Sequence, residues 1–462
     1  MPPGPFHIPR RHTPDQIDAI FAAQRQGDPI GWRIHLALAL GACFFAGWST
    51  SFVEWCALPV LICFLVRMTG WHRVLEPLAF DRVLRFLLAW GAFVALSLLW
   101  SAGTTWNERL VDIKPLRFLP LAVILWPVMD RRSWLILALM AGIACGQLAQ
   151  FTHLLTLKLD LGWMPFHRMP GRISGWWDPV SGGTVLCAAL GLWLAPALFA
   201  PGRARLLGAI GVAATLVCIT LTGTRGAWIG AALLCGITLP IKGWHWRLAR
   251  QCARAGAAGA PPRWAIGAAL GAMVVLGGAA IFAGGTKIAD RFQRGVEEVN
   301  AALTARDYST DTGLRIAMWQ WSIAAAKSHP VVGLGAGGYQ PWVHSQSPES
   351  AAHLGAPIEA APHVHSHAHS WYLHTIATLG VVGLALLLAL TITAVASGLR
   401  PPLPATPPIK SALAFAPALA LLGLACAGLF DTITVSQQPV FLFYLLIALS
   451  LPSRPREAGV AT

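Results

Sequence analysis

Residues 371–396 read WYLHTIATLGVVGLALLLALTITAVA and contain no Asp, Glu, Lys or Arg. Because an α-helix rises about 1.5 Å per residue, this stretch can cross the hydrocarbon core of a bilayer, which is about 30 Å thick. Eleven further apolar blocks of similar character lie at about 34–50, 52–67, 83–101, 115–130, 133–153, 179–200, 204–222, 226–241, 264–284, 410–430 and 435–451. The sequence therefore predicts an all-α, polytopic membrane protein with about 12 transmembrane helices.

The composition excludes the common soluble classes of protein. Of the 462 residues, 55% are hydrophobic and 12% are charged, whereas a soluble protein has roughly 25% charged residues. The 21 Trp and 19 Phe are too many for a disordered chain. A formal net charge of +14 suggests nucleic acid for a soluble domain, but in a membrane protein it is typical of basic cytoplasmic loops. We therefore expect membrane lipids as partners, and no nucleic acid.

The positions of Lys and Arg predict the orientation of the chain. If the N-terminus is cytoplasmic, every predicted cytoplasmic segment is basic, as the positive-inside rule requires. Both termini are then cytoplasmic. The chain divides into a cytoplasmic segment (1–33), nine membrane helices (34–284), one large outer loop (285–370), three membrane helices (371–451) and a cytoplasmic tail (452–462). Because an outer loop of about 85 residues is too long for a mere connection, we expect it to carry function.

A candidate anion site lies between the predicted seventh and eighth helices, at Thr-Gly-Thr-Arg-Gly-Ala-Trp (222–228). Glycine allows the chain to turn tightly here. Arg225 falls at the N-terminus of a helix, where free N–H groups and the helix dipole already favour an anion. The sequence thus indicates a phosphate site at Arg225, and the alternative is an arginine that only extends to a lipid headgroup.

A second cation, Arg315, stands near the start of a helical pattern at 312–328 in the large loop. Leu314, Met318 and Trp321 recur at steps of three to four residues, which predicts an amphipathic helix that could lie on the membrane surface. On this periodicity alone, Arg315 is better interpreted as a solvated charge.

A third cation, Arg172, lies on the predicted outer side within Pro-Gly-Arg-Ile-Ser-Gly-Trp-Trp (170–177). An arginine beside aromatic residues is a candidate for substrate binding. A belt of interfacial Trp residues explains the aromatic side chains equally well.

The loop ends in a His-rich run, HVHSHAHSWYLH (363–374). Its spacing fits neither a HExxH helix nor a Cys/His finger, and the only nearby carboxylate is Glu359, so we expect no metal site. A histidine at the point where a membrane helix meets the outer interface suits proton transfer instead, because its pKa lies near neutrality.

Together these segments resemble the O-antigen ligase family, which shares a domain with O-antigen polymerases and bacterial protein O-oligosaccharyltransferases. The resemblance covers about 220–385 and depends on the order and spacing of its motifs. The matching pieces are Thr-Gly-Thr-Arg-Gly-Ala-Trp (222–228), the Leu-Arg…Trp helix (314–319), His-Pro-Val-Val-Gly-Leu-Gly-Ala-Gly-Gly-Tyr (329–339), His-Ser-Trp-Tyr-Leu (369–373) and Leu-Gly-Val-Val-Gly (379–383).

The resemblance implies a GT-C-like glycosyltransferase of the bacterial inner membrane with its active site facing the periplasm. The implied reaction moves a glycan from undecaprenyl-diphosphate-linked O-antigen to a sugar hydroxyl of lipid A–core, which completes lipopolysaccharide. It inverts the anomeric centre and needs no metal or cofactor. The resemblance also implies that Arg225 and Arg315 bind the diphosphate and that His369 is the base, with Arg172 as a further substrate-binding candidate.

Two alternatives stay open. An O-antigen polymerase or a protein O-oligosaccharyltransferase would use the same donor and a different acceptor. A lipid or glycan transporter would have ionisable residues or Gly/Pro breaks at the bilayer midplane, where charges are scarce in this sequence.

If one histidine is the base, a single position should carry nearly the whole effect of substitution. We then expect Ala at His363, His367 or His374 to leave substantial activity. His365, one helical turn before His369, is a candidate support for the base.

Overall fold

The computed structural model describes residues 12–48, 52–67, 71–161, 166, 169, 171–254, 289–400 and 407–451. Its regular structure is helical, and one isolated β-bridge joins Met169 to Arg172. The α-helices are α1 (Pro14–Gly27), α2 (Pro29–Trp48), α3 (Phe52–Val66), α4 (Trp71–Leu75), α5 (Arg82–Leu96), α6 (Trp106–Arg109), α7 (Leu121–Ile124), α8 (Arg132–Lys158), α9 (Pro179–Phe199), α10 (Gly202–Thr222), α11 (Arg225–Arg254), α12 (289–304), α13 (Asp311–Ser328), α14 (Tyr339–His344), α15 (Pro348–Leu354), α16 (Trp371–Gly398), α17 (Pro408–Ala427) and α18 (Gln437–Ser450).

The helices are those of a multi-pass membrane protein, which confirms the predicted fold class. Among the described residues, eight helical segments are long and apolar enough to cross a bilayer. They are Pro29–Trp48, Arg82–Trp100, Trp126–Lys158, Pro179–Phe199, Gly202–Thr222, Arg225–Gly243, Trp371–Gly398 and Pro408–Ala427. The apolar helices Trp55–Val66 and Gln437–Ser450 are shorter. The predicted span at 264–284 lies outside the described residues, and the number of about twelve stays a prediction.

The predicted span at 115–130 is wrong as a single membrane helix. The chain here forms a 3₁₀ turn (Lys114–Phe118), one turn of α-helix (α7) and a second 3₁₀ segment (Trp126–Arg131). Pro115, Pro120 and Pro127 interrupt the pattern, because proline lacks the N–H that a continuous helix requires. Such a broken backbone is tolerated at membrane depth where it is buried in protein, and Trp126 is fully buried with its Nε1 donating to the carbonyl of Val74 at 2.7 Å.

The centre of the bundle is the contact between α9 and α17. Gly191 of α9 faces the backbone of Leu419, and Gly423 of α17 faces the backbone of Cys187. A side chain at either glycine would overlap the opposite helix, so these positions allow the two backbones to approach closely. Helices α10, α11 and α18 surround this pair.

The described part of the large loop, residues 289–370, has a small core of its own. Met318 and Trp321 of α13 pack with Tyr339 and Val343 of α14. The hydroxyl of Tyr339 donates to the carbonyl of Met318 at 2.6 Å. The predicted helix at 312–328 is therefore confirmed, but its apolar stripe faces the loop's own core and α16, so the membrane-surface interpretation is wrong.

Helix α16 is broken near its middle at Gly380, where φ is 64° and ψ is −168°. This conformation belongs almost only to glycine. The break removes the hydrogen bonds that would normally link the carbonyls of Ala377 and Thr378 to the following turn. In a membrane span such groups must find other partners in the protein, because lipid offers none.

The Gly-rich turn at 330–338 provides those partners. Leu334 and Gly335 donate to the carbonyls of Ala377 and Thr378 at 3.0 and 2.8 Å. In return, Val381 and Val382 donate to the carbonyls of Pro330 and Val331 at 2.9 and 3.2 Å. The loop is thus fastened into the break in α16, which fixes the first half of that helix and the histidines before it.

Candidate active site

The predicted site residues lie at one end of the bundle, where α10 and α17 end and α11, α16 and α18 begin. We call this end the loop end, because the described part of the large loop covers it. Backbone bonds join its segments: Ile173 donates to the carbonyl of Leu221 at 2.9 Å, and Trp371 donates to the carbonyl of Gly428 at 2.7 Å. Each bond joins segments that are about fifty to sixty positions apart in the sequence.

Arg225 is the first residue of α11 and follows a tight turn. Gly223 ends α10 with φ of 63°, a left-handed conformation that suits glycine, and the hydroxyl of Thr224 donates to the carbonyl of Pro179 at 2.9 Å. The turn therefore fixes Arg225 at a helix N-terminus, as the sequence predicts.

Helix α12 lies against Arg225 and provides its partners. Two guanidinium nitrogens of Arg225 lie 2.7 and 3.3 Å from the carboxylate oxygens of Glu298, and Nη1 also donates to the hydroxyl of Thr312 at 2.8 Å. The hydrogen bond from Arg225 lowers the pKa of Glu298. The guanidinium of Arg225 is thus paired with Glu298. A bound anion would have to share this guanidinium with Glu298 or displace Glu298 from it.

Arg291, also on α12, was not singled out in the sequence. Its guanidinium lies over Gly223, where an added Cβ would stand 3.3 Å from Nη1. The Nε of Arg291 is buried without a hydrogen-bond partner among the described residues. Burial lowers the pKa of Arg291, and the charges of Arg172 and Arg225 lower it further. Arg291 and Glu298 are seven residues apart, which places them two turns apart on one face of a helix. That spacing is the sequence signal that could have identified α12 as part of the site.

Arg315 stands in the first turn and a half of α13 and is half-buried. Burial lowers the pKa of its guanidinium; the nearby Asp431 and Asp311 oppose that shift, whereas Arg172 and Arg225 add to it. Among the described residues, no hydrogen bond or ion pair engages its side chain. Arg315 is thus less exposed than a free surface charge, and its role in substrate binding stays a prediction.

Arg172 is half-buried on the turn closed by the bridge to Met169. Its charge acts on both Arg291 and Arg315. Arg172, Arg225, Arg291 and Arg315 thus form one group, which we call the arginine cluster. Four cations within electrostatic reach of one another favour a ligand that carries more than one negative charge.

Asp431 is an acid beside this cluster that the sequence did not reveal. It is buried in the segment between α17 and α18, where it accepts from the hydroxyl of Thr184 at 2.6 Å and from the N–H of Thr432 at 2.9 Å. Burial raises its pKa, although Arg315 opposes this. No motif surrounds Asp431 in the sequence, so only the fold places it near Arg315.

His369 lies two residues before α16 and has φ of 49°, a left-handed conformation that is uncommon for residues other than glycine. Its Nε2 lies 3.2 Å from Nδ1 of His365, and its ring centre is 4.4 Å from that of His367. Its Nδ1 is buried and has no partner among the described residues. Burial lowers the pKa of His369 to about 2, with His367 and Arg315 as the next causes. His369 is therefore neutral near pH 7.

The other histidines of the run differ in their surroundings. His363 is exposed. Burial lowers the pKa of His367 to about 4. His374 is 2% exposed, and its Nε2 lies 2.9 Å from a carboxylate oxygen of Asp112. Asp112 lies in the segment between α6 and α7 and is a buried partner of His374 that the sequence did not predict. We therefore expect substitution of His374 to reduce activity, unlike substitution of the exposed His363.

The described residues contain no group of three His, Cys, Asp or Glu side chains that could hold a metal ion. The histidines of the run instead contact one another in pairs. The chemistry that the arrangement offers is anion binding by the arginine cluster and proton acceptance by a neutral imidazole.

A family model described as O-antigen ligase matches residues 210–388. The match includes Arg225, Arg315 and His369, whereas Arg172 and Asp112 lie outside it. Among curated proteins, no relative matches the chain. The matched residues contain α11, α13, the Gly-rich turn and the first half of α16, so this part of the chain is similar to the O-antigen ligase domain.

Proposed function

We propose that the protein is an O-antigen ligase, which transfers a glycan from undecaprenyl diphosphate to a sugar hydroxyl of lipid A–core. The single observation that carries the proposal is the arginine cluster beside a neutral histidine, at one end of a membrane-spanning bundle. A diphosphate attached to a membrane lipid is the anion that this position suits, because its polyprenyl chain stays in the bilayer while its charges reach the loop end.

In this proposal the arginine cluster binds the diphosphate. Arg315 acts as a planar fork that pairs with two phosphate oxygens, and Arg225 does the same once the diphosphate displaces Glu298. Arg172 and Arg291 add positive charge around them. Negative charge grows on the diphosphate as the sugar leaves. Fixed cations that meet this charge lower the barrier and replace the metal ion that many glycosyltransferases use.

His369 is the proposed general base. We assign its proton to Nε2, which then donates to Nδ1 of His365 and leaves a lone pair at the buried Nδ1. The acceptor hydroxyl gives its proton to Nδ1, which acceptor binding has to uncover, while its oxygen attacks the anomeric carbon. The bond from that carbon to the phosphate oxygen breaks, undecaprenyl diphosphate keeps the electron pair, and the anomeric centre inverts.

The low pKa of His369 has a consequence for this step. An imidazole that remains unprotonated at every working pH is always ready to accept a proton, but it is a weak base. The donor brings negative charge next to Arg315, which is one cause of the lowered pKa. We infer that donor binding raises the pKa of His369 towards its ordinary value of 6.5 and so strengthens the base when the substrate is present.

The proposed orientation follows from the basic loops at the other end of the bundle. Arg67 lies at the end opposite the arginine cluster, as does Arg131, and the positive-inside rule assigns such loops to the cytoplasm. The loop end then faces the periplasm of a bacterial inner membrane, and both termini are cytoplasmic.

The decisive experiment uses purified protein in lipid nanodiscs with an undecaprenyl-diphosphate-linked glycan and three acceptors offered separately. These are lipid A–core, a second molecule of the lipid-linked glycan, and a periplasmic protein substrate. We expect a product with lipid A–core, detected by its mass. A product with the second glycan alone would identify a polymerase, and a product with the protein alone would identify an O-oligosaccharyltransferase.

A further inference from the structure

A buried acid and a buried histidine meet beside the proposed active site without a role in the steps above. Asp112 is 8% exposed and His374 is 2% exposed, and Oδ1 of Asp112 lies 2.9 Å from Nε2 of His374. Burial raises the pKa of Asp112, but the charge and hydrogen bond of His374 outweigh burial and leave this pKa below its ordinary value. Asp112 is therefore a buried carboxylate that depends on its partners.

The second oxygen of Asp112 binds the Gly-rich turn. Oδ2 accepts from the N–H of Gly337 at 2.8 Å. Gly337 has φ of 68°, and an added Cβ would overlap the carbonyl of Glu108, so only glycine allows this approach. One carboxylate thus joins three segments: the chain before α7, the Gly-rich turn and the first turn of α16.

His374 is connected to His369 through that first turn. The N–H of His374 donates to the carbonyl of Ser370 at 2.9 Å, and Ser370 follows His369 directly. The left-handed backbone at His369 is unfavourable for a residue other than glycine and persists only where the surroundings hold it. The pair of Asp112 and His374 fixes the turn from which His369 projects.

We propose that Asp112 and His374 are positioning residues for glycan transfer, which hold His369 in the orientation that meets the acceptor hydroxyl. This inference depends on the proposed function, because it presumes that His369 is the base. The proposed steps give the pair no part in proton transfer or in binding the diphosphate. A buried pair is weak evidence for stability, since its desolvation offsets its attraction, so the presence of these polar groups fits a role in orientation.

Asp112→Asn is the sharpest substitution, because it keeps the size of the side chain. Both oxygens of Asp112 act as acceptors, and an amide offers only one. If the amide oxygen keeps the bond from Gly337, the NH2 group faces Nε2 of His374, which loses its charged partner and has to carry its proton on Nδ1. We expect the kcat of transfer to fall about 10–100-fold, as for a base displaced by a fraction of an ångström, with the KM for the lipid-linked donor almost unchanged.

Variants of His374 provide a graded test. His374→Gln keeps an N–H donor that can reach Asp112, whereas His374→Leu removes it. We expect the kcat of His374→Gln to lie between that of the wild type and that of His374→Leu. A merely structural role would change stability and the amount of folded protein, but not kcat per folded molecule.

The matched control is His35→Leu. His35 is fully buried in α2 at the opposite end of the bundle, with Nε2 2.8 Å from the carbonyl oxygen of Ile124. We expect His35→Leu to lower thermal stability about as much as His374→Leu and to keep wild-type kcat. Wild-type kcat in both Asp112→Asn and His374→Leu would overturn the inference.

His369→Ala in the same assay distinguishes failure of the positioning role from failure of the proposed function. If His369→Ala is inactive while Asp112→Asn and His374→Leu both transfer at the wild-type rate, only the positioning role fails. If His369→Ala transfers normally, the proposed base fails, and the positioning role fails with it.

Discussion

Replacing Gly380 by Ala tests the broken helix that holds the site. The conformation at Gly380, with φ of 64° and ψ of −168°, costs an Ala about 1–3 kcal/mol. An added Cβ would overlap the carbonyl of Val331, so the Gly-rich turn must move away from α16. That movement breaks the backbone bonds from Val381 to Pro330 and from Val382 to Val331, each with a net value of about 0.5–1.5 kcal/mol. We expect a loss of stability of about 2–6 kcal/mol.

The measurement is the thermal unfolding of purified Gly380→Ala in lipid nanodiscs, followed by transfer activity at a temperature where the variant is folded. Gly41→Ala in α2 is the control, because an added Cβ there meets no atom within 4 Å. We expect Gly41→Ala to match the wild type or to be slightly more stable, since Ala favours helix over Gly. If Gly380→Ala unfolds at the same temperature as Gly41→Ala, the break does not fasten the loop, and the reasoning is refuted.

Three further predictions concern the proposed chemistry. Arg225→Lys and Arg315→Lys keep the charge and lose the planar fork, so each should reduce transfer about 10²–10³-fold in the purified assay; unchanged transfer in both would identify them as surface charges. Treatment with EDTA should leave transfer intact, because the proposed steps involve no metal, and activity that EDTA removes and one divalent ion restores would contradict this. In a pH titration, kcat/KM should not fall tenfold per pH unit below pH 6.5, because the lowered pKa keeps His369 of the free enzyme neutral. The acid limb of kcat should lie at higher pH than that of kcat/KM, because the bound diphosphate raises the pKa of His369. An acid limb of kcat/KM near pH 6.5 would show an unperturbed histidine.

The membrane helices could be predicted because their signal is local. An apolar block such as 371–396 must span a bilayer whatever surrounds it, and α16 occupies that block. The block at 115–130 failed because hydropathy does not detect three prolines that divide a buried segment. The sequence did not predict the break at Gly380, because the turn that provides its hydrogen-bond partners lies some fifty residues earlier in the chain.

The candidate site was predictable where a residue lay in a recognisable segment. Arg225, Arg315 and His369 belong to such segments, and the fold brings them to the loop end. Asp112 and Asp431 have no local signal, because their partners His374 and Thr184 are more than two hundred residues away. The burial of Arg315 was likewise inaccessible, since periodicity describes one helix and not what packs against it.

The central claim is that His369 is the base for glycan transfer, and its most direct test is His369→Ala in the purified assay with lipid-linked glycan and lipid A–core. Loss of a general base typically reduces the rate about 10²–10⁴-fold. We predict that loss for His369→Ala, with donor binding retained by the arginine cluster, and near wild-type transfer for His363→Ala, whose ring is exposed in the same run. Normal transfer by folded His369→Ala would contradict the account.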